Sequence, residues 1–141
     1  MAKDTNTLYH RAARILGVSD SELSVLYMIY EKGDRCRLYD ICNESGISKQ
    51  TINSALRRLE GEGAVYLEQS GGKAKLVCLT EKGNVLVKKT AARLFKAESD
   101  AFKSWAEEDF EAYLRLMEKY NHSLRAQLEN MQCENNNNNP I

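Results

Sequence analysis

Proline is almost missing from this chain. Its one copy, Pro140, sits in the tail, so nothing upstream interrupts a helix. Histidine is nearly as scarce: His10 and His122 stand far apart, which leaves little acid–base capacity and no zinc-ligand spacing. The four cysteines, Cys36, Cys42, Cys78 and Cys133, form no CxxC pair and read as reduced thiols. Paired carboxylates, a phosphate-binding glycine loop and a Ser-His-Asp set are also lacking, so neither an enzyme nor a metal or cofactor is expected. No apolar run approaches the ~20 residues that span a bilayer. The opening Met1-Ala2-Lys3-Asp4-Thr5-Asn6-Thr7 leads into no hydrophobic segment. A cytoplasmic chain without a membrane partner is therefore expected.

Net charge is lacking too, at +0. Its distribution is uneven: residues 35–80 hold seven basic and five acidic side chains, while the segments on either side are each slightly acidic. Between Ser45 and Leu59 there are three cations and no acid. That local excess points to a polyanion more than the sum does.

What is present is helical periodicity. Leu8, Ala12, Ile15 and Leu16 predict a helix over about 5–16, closed by Gly17. Ser19-Asp20-Ser21-Glu22 reads as a capping box for a second helix reaching about Lys32, with Leu23, Leu26, Tyr27 and Tyr30 on one stripe. Short helices follow over Leu38–Ser45, ended by Gly46, and from a Ser48 cap to about Glu62. The period then drops to two. Residues 64–69 and 75–79 predict strands joined through Ser70-Gly71-Gly72-Lys73. Thr80 caps a long helix from Glu81 to about Ser104, and a last helix runs from about Glu107 to Met131. Residues 134–141, rich in asparagine, predict a disordered tail after a single domain over 1–133. The fold class is thus mainly α (α+β), with too little sheet for a doubly wound nucleotide fold.

Residues 38–59 carry the chemistry. A helix-turn-helix needs a small residue where two helices touch, a glycine in the turn and apolar residues facing inward. Cys42, Gly46 and the set Ile41, Ile47, Ile52 and Ala55 meet those demands. With Ile52, Ala55, Leu56 and Leu59 buried, a rotation of about 100° per residue turns Gln50, Asn53, Ser54 and Arg57 outward. Gln and Asn can read adenine edges, and Arg can read guanine. Ser48, Lys49, Thr51 and Arg58 flank that face as candidate phosphate contacts, beside the amides of a helix N-terminus. Lys73 and Lys75 near the hairpin tip suit a wing lying along the backbone or minor groove. An ordinary solvated face would mix acids with these bases, but none occurs before Glu60.

Through Leu38-Tyr39-Asp40-Ile41-Cys42, Gly46-Ile47-Ser48-Lys49-Gln50-Thr51, Leu59-Glu60-Gly61-Glu62-Gly63 and Leu79-Thr80-Glu81-Lys82-Gly83, the chain resembles the MarR family of bacterial regulators over about residues 5–131. The resemblance implies a winged helix-turn-helix core (34–80) with a two-stranded wing hairpin. It also implies N- and C-terminal dimerisation helices (5–16 and 81–131) and a homodimer on a near-palindromic double-stranded DNA operator. Where the family wing often carries Asp-x-Arg, this chain has Gly71 and Lys73, so the planar guanidinium is replaced by a point charge.

In the last helix, Phe110, Leu114, Met117, Asn121, Leu124, Leu128 and Met131 alternate at spacings of four and three, a heptad seam. Leu8, Ala12 and Ile15 are expected to join them in the dimer interface. A small aromatic or amphipathic effector is the further partner implied by the resemblance, with Tyr9, His10, Tyr27 and Tyr30 as pocket candidates. Repression is expected, since no polymerase-recruiting extension is visible. Two alternatives stay open: a thiol-based redox regulator through Cys36, whose neighbours Arg35 and Arg37 favour a thiolate, and a winged-helix protein-interaction module that does not bind DNA.

Overall fold

The computed structural model describes residues 2–71 and 74–138. In chain order the elements are α1 (Ala2–Leu16), α2 (Asp20–Lys32), β1 (Arg35–Arg37), α3 (Leu38–Ser45), α4 (Lys49–Gly61), β2 (Val65–Ser70), β3 (Ala74–Leu79), α5 (Glu81–Lys89), α6 (Ala91–Lys103) and α7 (Glu107–Asn137). No helix among them is long and apolar enough to cross a membrane.

The chain divides into two compact units, 1–98 and 99–141. The reason lies in α7, which has no buried residue and so adds nothing to the core. In the first unit, Val25, Leu26 and Ile29 of α2 meet Ile41 of α3 and Ile52, Leu56 and Leu59 of α4, over Val65 and Val77 of the sheet. Helix α2 is enclosed on most sides: Leu23, Val25, Leu26, Met28 and Ile29 are buried, whereas Tyr27 is half-buried and Tyr30 exposed. The expected stripe through the two tyrosines is thus displaced toward Val25 and Ile29. Tyr30 instead packs edge-on against Phe95, with ring centroids 5.7 Å apart.

The predicted hairpin is present, with β2 and β3 antiparallel and Val65 opposite Leu79. A third strand joins it: β1 pairs antiparallel with β3, Cys36 opposite Val77, and the strand order is β1-β3-β2. Three residues are too few to show a period, so β1 is not legible in the sequence.

The long helix expected over 81–104 is two helices. They part at Thr90, whose hydroxyl donates to the Leu86 carbonyl at 2.7 Å and whose backbone leaves the helical region (φ −125°, ψ −87°). A β-branched hydroxyl residue bonded back to i−4 loosens the helix at its own position. Thr90 is also buried, which holds the bend in place.

In the second unit, Phe102 lies against Trp105, Phe110 and Tyr113, with centroids 4.9–5.6 Å apart, and this aromatic group ties the end of α6 to the start of α7. Glu107, Glu108 and Asp109 oppose the positive end of the α7 dipole. Helix α7 runs on to Asn137, past both Met131 and the expected tail start at Glu134. With no proline before Pro140, extending an existing helix costs little even through poor helix formers. Residues 139–141 of that expected tail lie outside the described residues.

Candidate nucleic-acid interface

Two glycine- and serine-based junctions set the helix-turn-helix. Gly46 closes α3 in the left-handed region (φ 68°), which a side chain would disfavour. The Ser48 hydroxyl then accepts the Thr51 N–H at 3.2 Å and donates to the Thr51 hydroxyl at 2.8 Å, starting α4. No acid occupies the first turn of α4, so its amides and positive dipole end are not neutralised by its own side chains.

Rotation of α4 follows from what it buries. Ile52, Ala55, Leu56 and Leu59 are its buried residues, the four predicted. Burying each large one stabilises by about 1.5–3 kcal/mol, far more than any hydrogen bond on the outer face, so the apolar stripe decides the orientation. Gln50, Ser54 and Arg57 are consequently exposed and Asn53 half-buried. The Ser54 hydroxyl donates to the Gln50 carbonyl at 3.1 Å, which occupies its proton within the helix.

Ser48, Lys49 and Thr51 are exposed at the helix start, and Lys75 is exposed on β3, opposite Gln69. Lys73, the other wing candidate, lies outside the described residues. Lys49, Arg57 and Lys75 make no ion pair among the described residues. Arg58 differs from them. Its guanidinium is 3.3 Å from the Glu22 carboxylate and donates to Ser19 Oγ at 3.4 Å, tying α4 to the start of α2. Glu22 also accepts the Ser19 hydroxyl at 2.9 Å, while Ser19 Oγ accepts the Glu22 N–H at 3.1 Å. The predicted capping box is thus present and extended by a residue 39 positions away. Arg58 is exposed enough to meet a phosphate, but its first role is this brace.

Cys36 does not behave as its flanking arginines suggest. Strand alternation points its side chain into the core while Arg35 and Arg37 face the other way. Burial pushes its thiol up, the nearby Asp40 carboxylate adds to that, and Lys32 and Arg37 oppose it less. Arg37 is committed elsewhere, in a two-point contact with Asp40 at 3.0 and 3.1 Å. Asp40 is held below its ordinary value by that bond.

Of the interface candidates on α1, Leu8 and Ile15 are 60% and 66% exposed and Ala12 is half-buried, whereas the neighbouring Ala13 is buried. On α7, Phe110 is half-buried and Asn121 exposed, and Leu114, Met117, Leu124, Leu128 and Met131 are 39–57% exposed.

A cavity of about 510 Å³ opens within the first unit. Tyr9, His10 and Tyr27 line it as expected, and Tyr30 does not. The Tyr9 and Tyr27 hydroxyls each donate to one oxygen of Glu98, both at 2.6 Å. Burial, and then that carboxylate, push the Tyr27 phenol well above its ordinary range. Glu98 was not among the expected residues. It lies far along the chain from both tyrosines, and nothing local in the sequence marks the meeting.

A comparison of the sequence with curated proteins finds no match. Solved structures share the fold. A MarR-family regulator from Listeria monocytogenes complexed with a 26-mer DNA is 19% identical, over 89% of this chain and 85% of its own, with a TM-score of 0.70. The MepR–DNA complex from S. aureus is 18% identical, over 87% and 91%, with a TM-score of 0.67. PcaV from Streptomyces coelicolor, in complex with its natural ligand, is 13% identical, over 87% and 90%, with a TM-score of 0.66. In sequence, residues 16–75 match the MarR family model. Over that stretch, which runs from the end of α1 into β3, the chain is thus similar to the MarR family in sequence as well as in fold.

Proposed function

We propose that the chain is a sequence-specific double-stranded DNA-binding regulator that works in the cytoplasm as a homodimer on a near-palindromic operator. The observation that carries this is the outer face of α4, where amides and a guanidinium stand beside an unneutralised helix N-terminus and no acid intervenes before Glu60. Gln50, Asn53 and Arg57 read base edges; Ser48, Lys49, Thr51 and Arg58 hold phosphates; Lys75, with Lys73, serves the wing. Two of the structures sharing the fold are DNA complexes, which supports this use of the fold. The outward face offers no apolar anchor, which disfavours a protein-interaction module. Buried Cys36 with its raised thiol disfavours a redox switch.

Exposed apolar residues of α1 and α7 supply the dimer contact in this reading. The cavity supplies the effector site and DNA release. Its wall includes α2 residues and Glu44 and Ser45 at the end of α3, and α2 is braced to α4 through Glu22 and Arg58. A ligand that moves α2 against α3 therefore shifts the reading helix. Repression by occupying the operator needs no further surface.

Asn53→Ala tests the base-reading face. On a selected operator duplex it is expected to weaken binding by about 1–3 kcal/mol, measured by fluorescence anisotropy, and to leave binding to random duplex almost unchanged. An equal loss on both duplexes would show that Asn53 does not read bases.

A further inference from the structure

The cavity beside α1 and α2 has a charge character that selects the class of its ligand, and this inference rests on reading it as the effector site. Its volume, about 510 Å³, suits a small organic molecule. Four carboxylates line it, from Asp20, Glu31, Glu44 and Glu98, with no lysine or arginine among the described residues of the wall. Asp20 is partnered by His10 at 2.6 Å, and Glu44 by Lys32 from outside the cavity at 3.6 Å. Glu31 and Glu98 remain, and both act on the Tyr27 phenol.

The donors are arranged in the same sense. Both phenol protons are donated to Glu98, so neither is left to bond an anionic guest. A carboxylate ligand entering here meets like charge, and the described wall offers it no guanidinium or ammonium of its own, an arrangement that penalises burial of an anion. An ammonium group meets carboxylate oxygens and aromatic rings, both attractive to a cation. Leu23, Met28 and Leu94 supply apolar wall for the rest of the molecule.

We propose that this cavity binds an organic cation, an amine or quaternary ammonium bearing a small apolar or aromatic body, with Glu98 and Glu31 as its charge partners.

The test is isothermal titration of the full chain with benzyltrimethylammonium and, separately, with 3-phenylpropionate, an anion of similar size. The ammonium is expected to bind at least about tenfold more tightly than the carboxylate, and Glu98→Gln and Glu31→Gln each to weaken it about tenfold or more. Glu31→Gln disturbs no tyrosine hydrogen bond, so it answers the question if Glu98→Gln folds poorly. Equal binding of the two probes, preference for the carboxylate, no ammonium binding, or unchanged affinity in the folded variants would overturn the inference. Duplex release measured beside the titration separates the two readings. Ammonium binding without release keeps the ligand class and removes the effector role, whereas carboxylate binding with release does the reverse.

Discussion

Gly83→Ala is expected to lower stability by about 3–5 kcal/mol, a large share of what a domain of this size possesses. Gly83 lies in the first turn of α5, and a Cβ there would stand 1.9 Å from the Ala64 carbonyl oxygen and 2.9 Å from its carbon. Those are backbone atoms, so no side chain can swing aside. Moving α5 away is equally costly, because its N-cap is bound to the same loop. The Thr80 hydroxyl accepts the Gly83 N–H at 3.0 Å and lies 2.5 Å from the Gly63 carbonyl oxygen, to which it donates. The Thr80 N–H donates to Ala64 at 3.0 Å. The substitution therefore forces a choice between a clash and the loss of the cap. Denaturant unfolding of Gly83→Ala beside Asn84→Ala, an exposed neighbour expected to change stability by less than about 0.5 kcal/mol, measures the difference. Coincident midpoints would refute the close approach.

Leu124→Asp is expected to convert the proposed homodimer to monomers and to weaken operator binding by about 100-fold or more. Helix α7 has 31 residues, about 46 Å of helix, and none of them is buried within the chain. Leu114, Met117, Asn121, Leu124, Leu128 and Met131 lie along one seam at alternating spacings of three and four, and all but Asn121 are large exposed apolar residues. Each large apolar residue covered by a partner contributes about 1.5–3 kcal/mol, and an aspartate placed among them must be desolvated without a counter-charge. Loss of the dimer separates two half-site contacts that otherwise bind as one. Light scattering reads the mass and anisotropy the affinity; a dimer that persists places the interface elsewhere.

Helix α4 was legible because its determinants are local. Ser48 and Gly46 mark its boundary, and Ile52, Ala55, Leu56 and Leu59 fix its rotation at a 3.6-residue period. The capping box at Ser19 and Glu22 was legible for the same reason. What escaped depends on residues distant in the chain or on backbone strain. The strand β1 exists only because β3 runs beside it. The break at Thr90 leaves no glycine or proline to signal it. The brace from Arg58 to Glu22, 3.3 Å away, joins residues far apart in the chain, and Glu98 gains meaning only where Tyr9 and Tyr27 converge on it. Cys36 shows the converse error: sequence neighbours on a strand point to opposite faces, so two flanking arginines do not surround the thiol.

The central claim is that the outward face of α4 reads double-stranded DNA. Selection of bound duplexes from a random-sequence library by the full chain tests it most directly. The account predicts enrichment of a near-palindromic sequence with half-sites about one helical turn apart, and loss of that enrichment in Asn53→Ala. A bound pool indistinguishable from the starting library would contradict it.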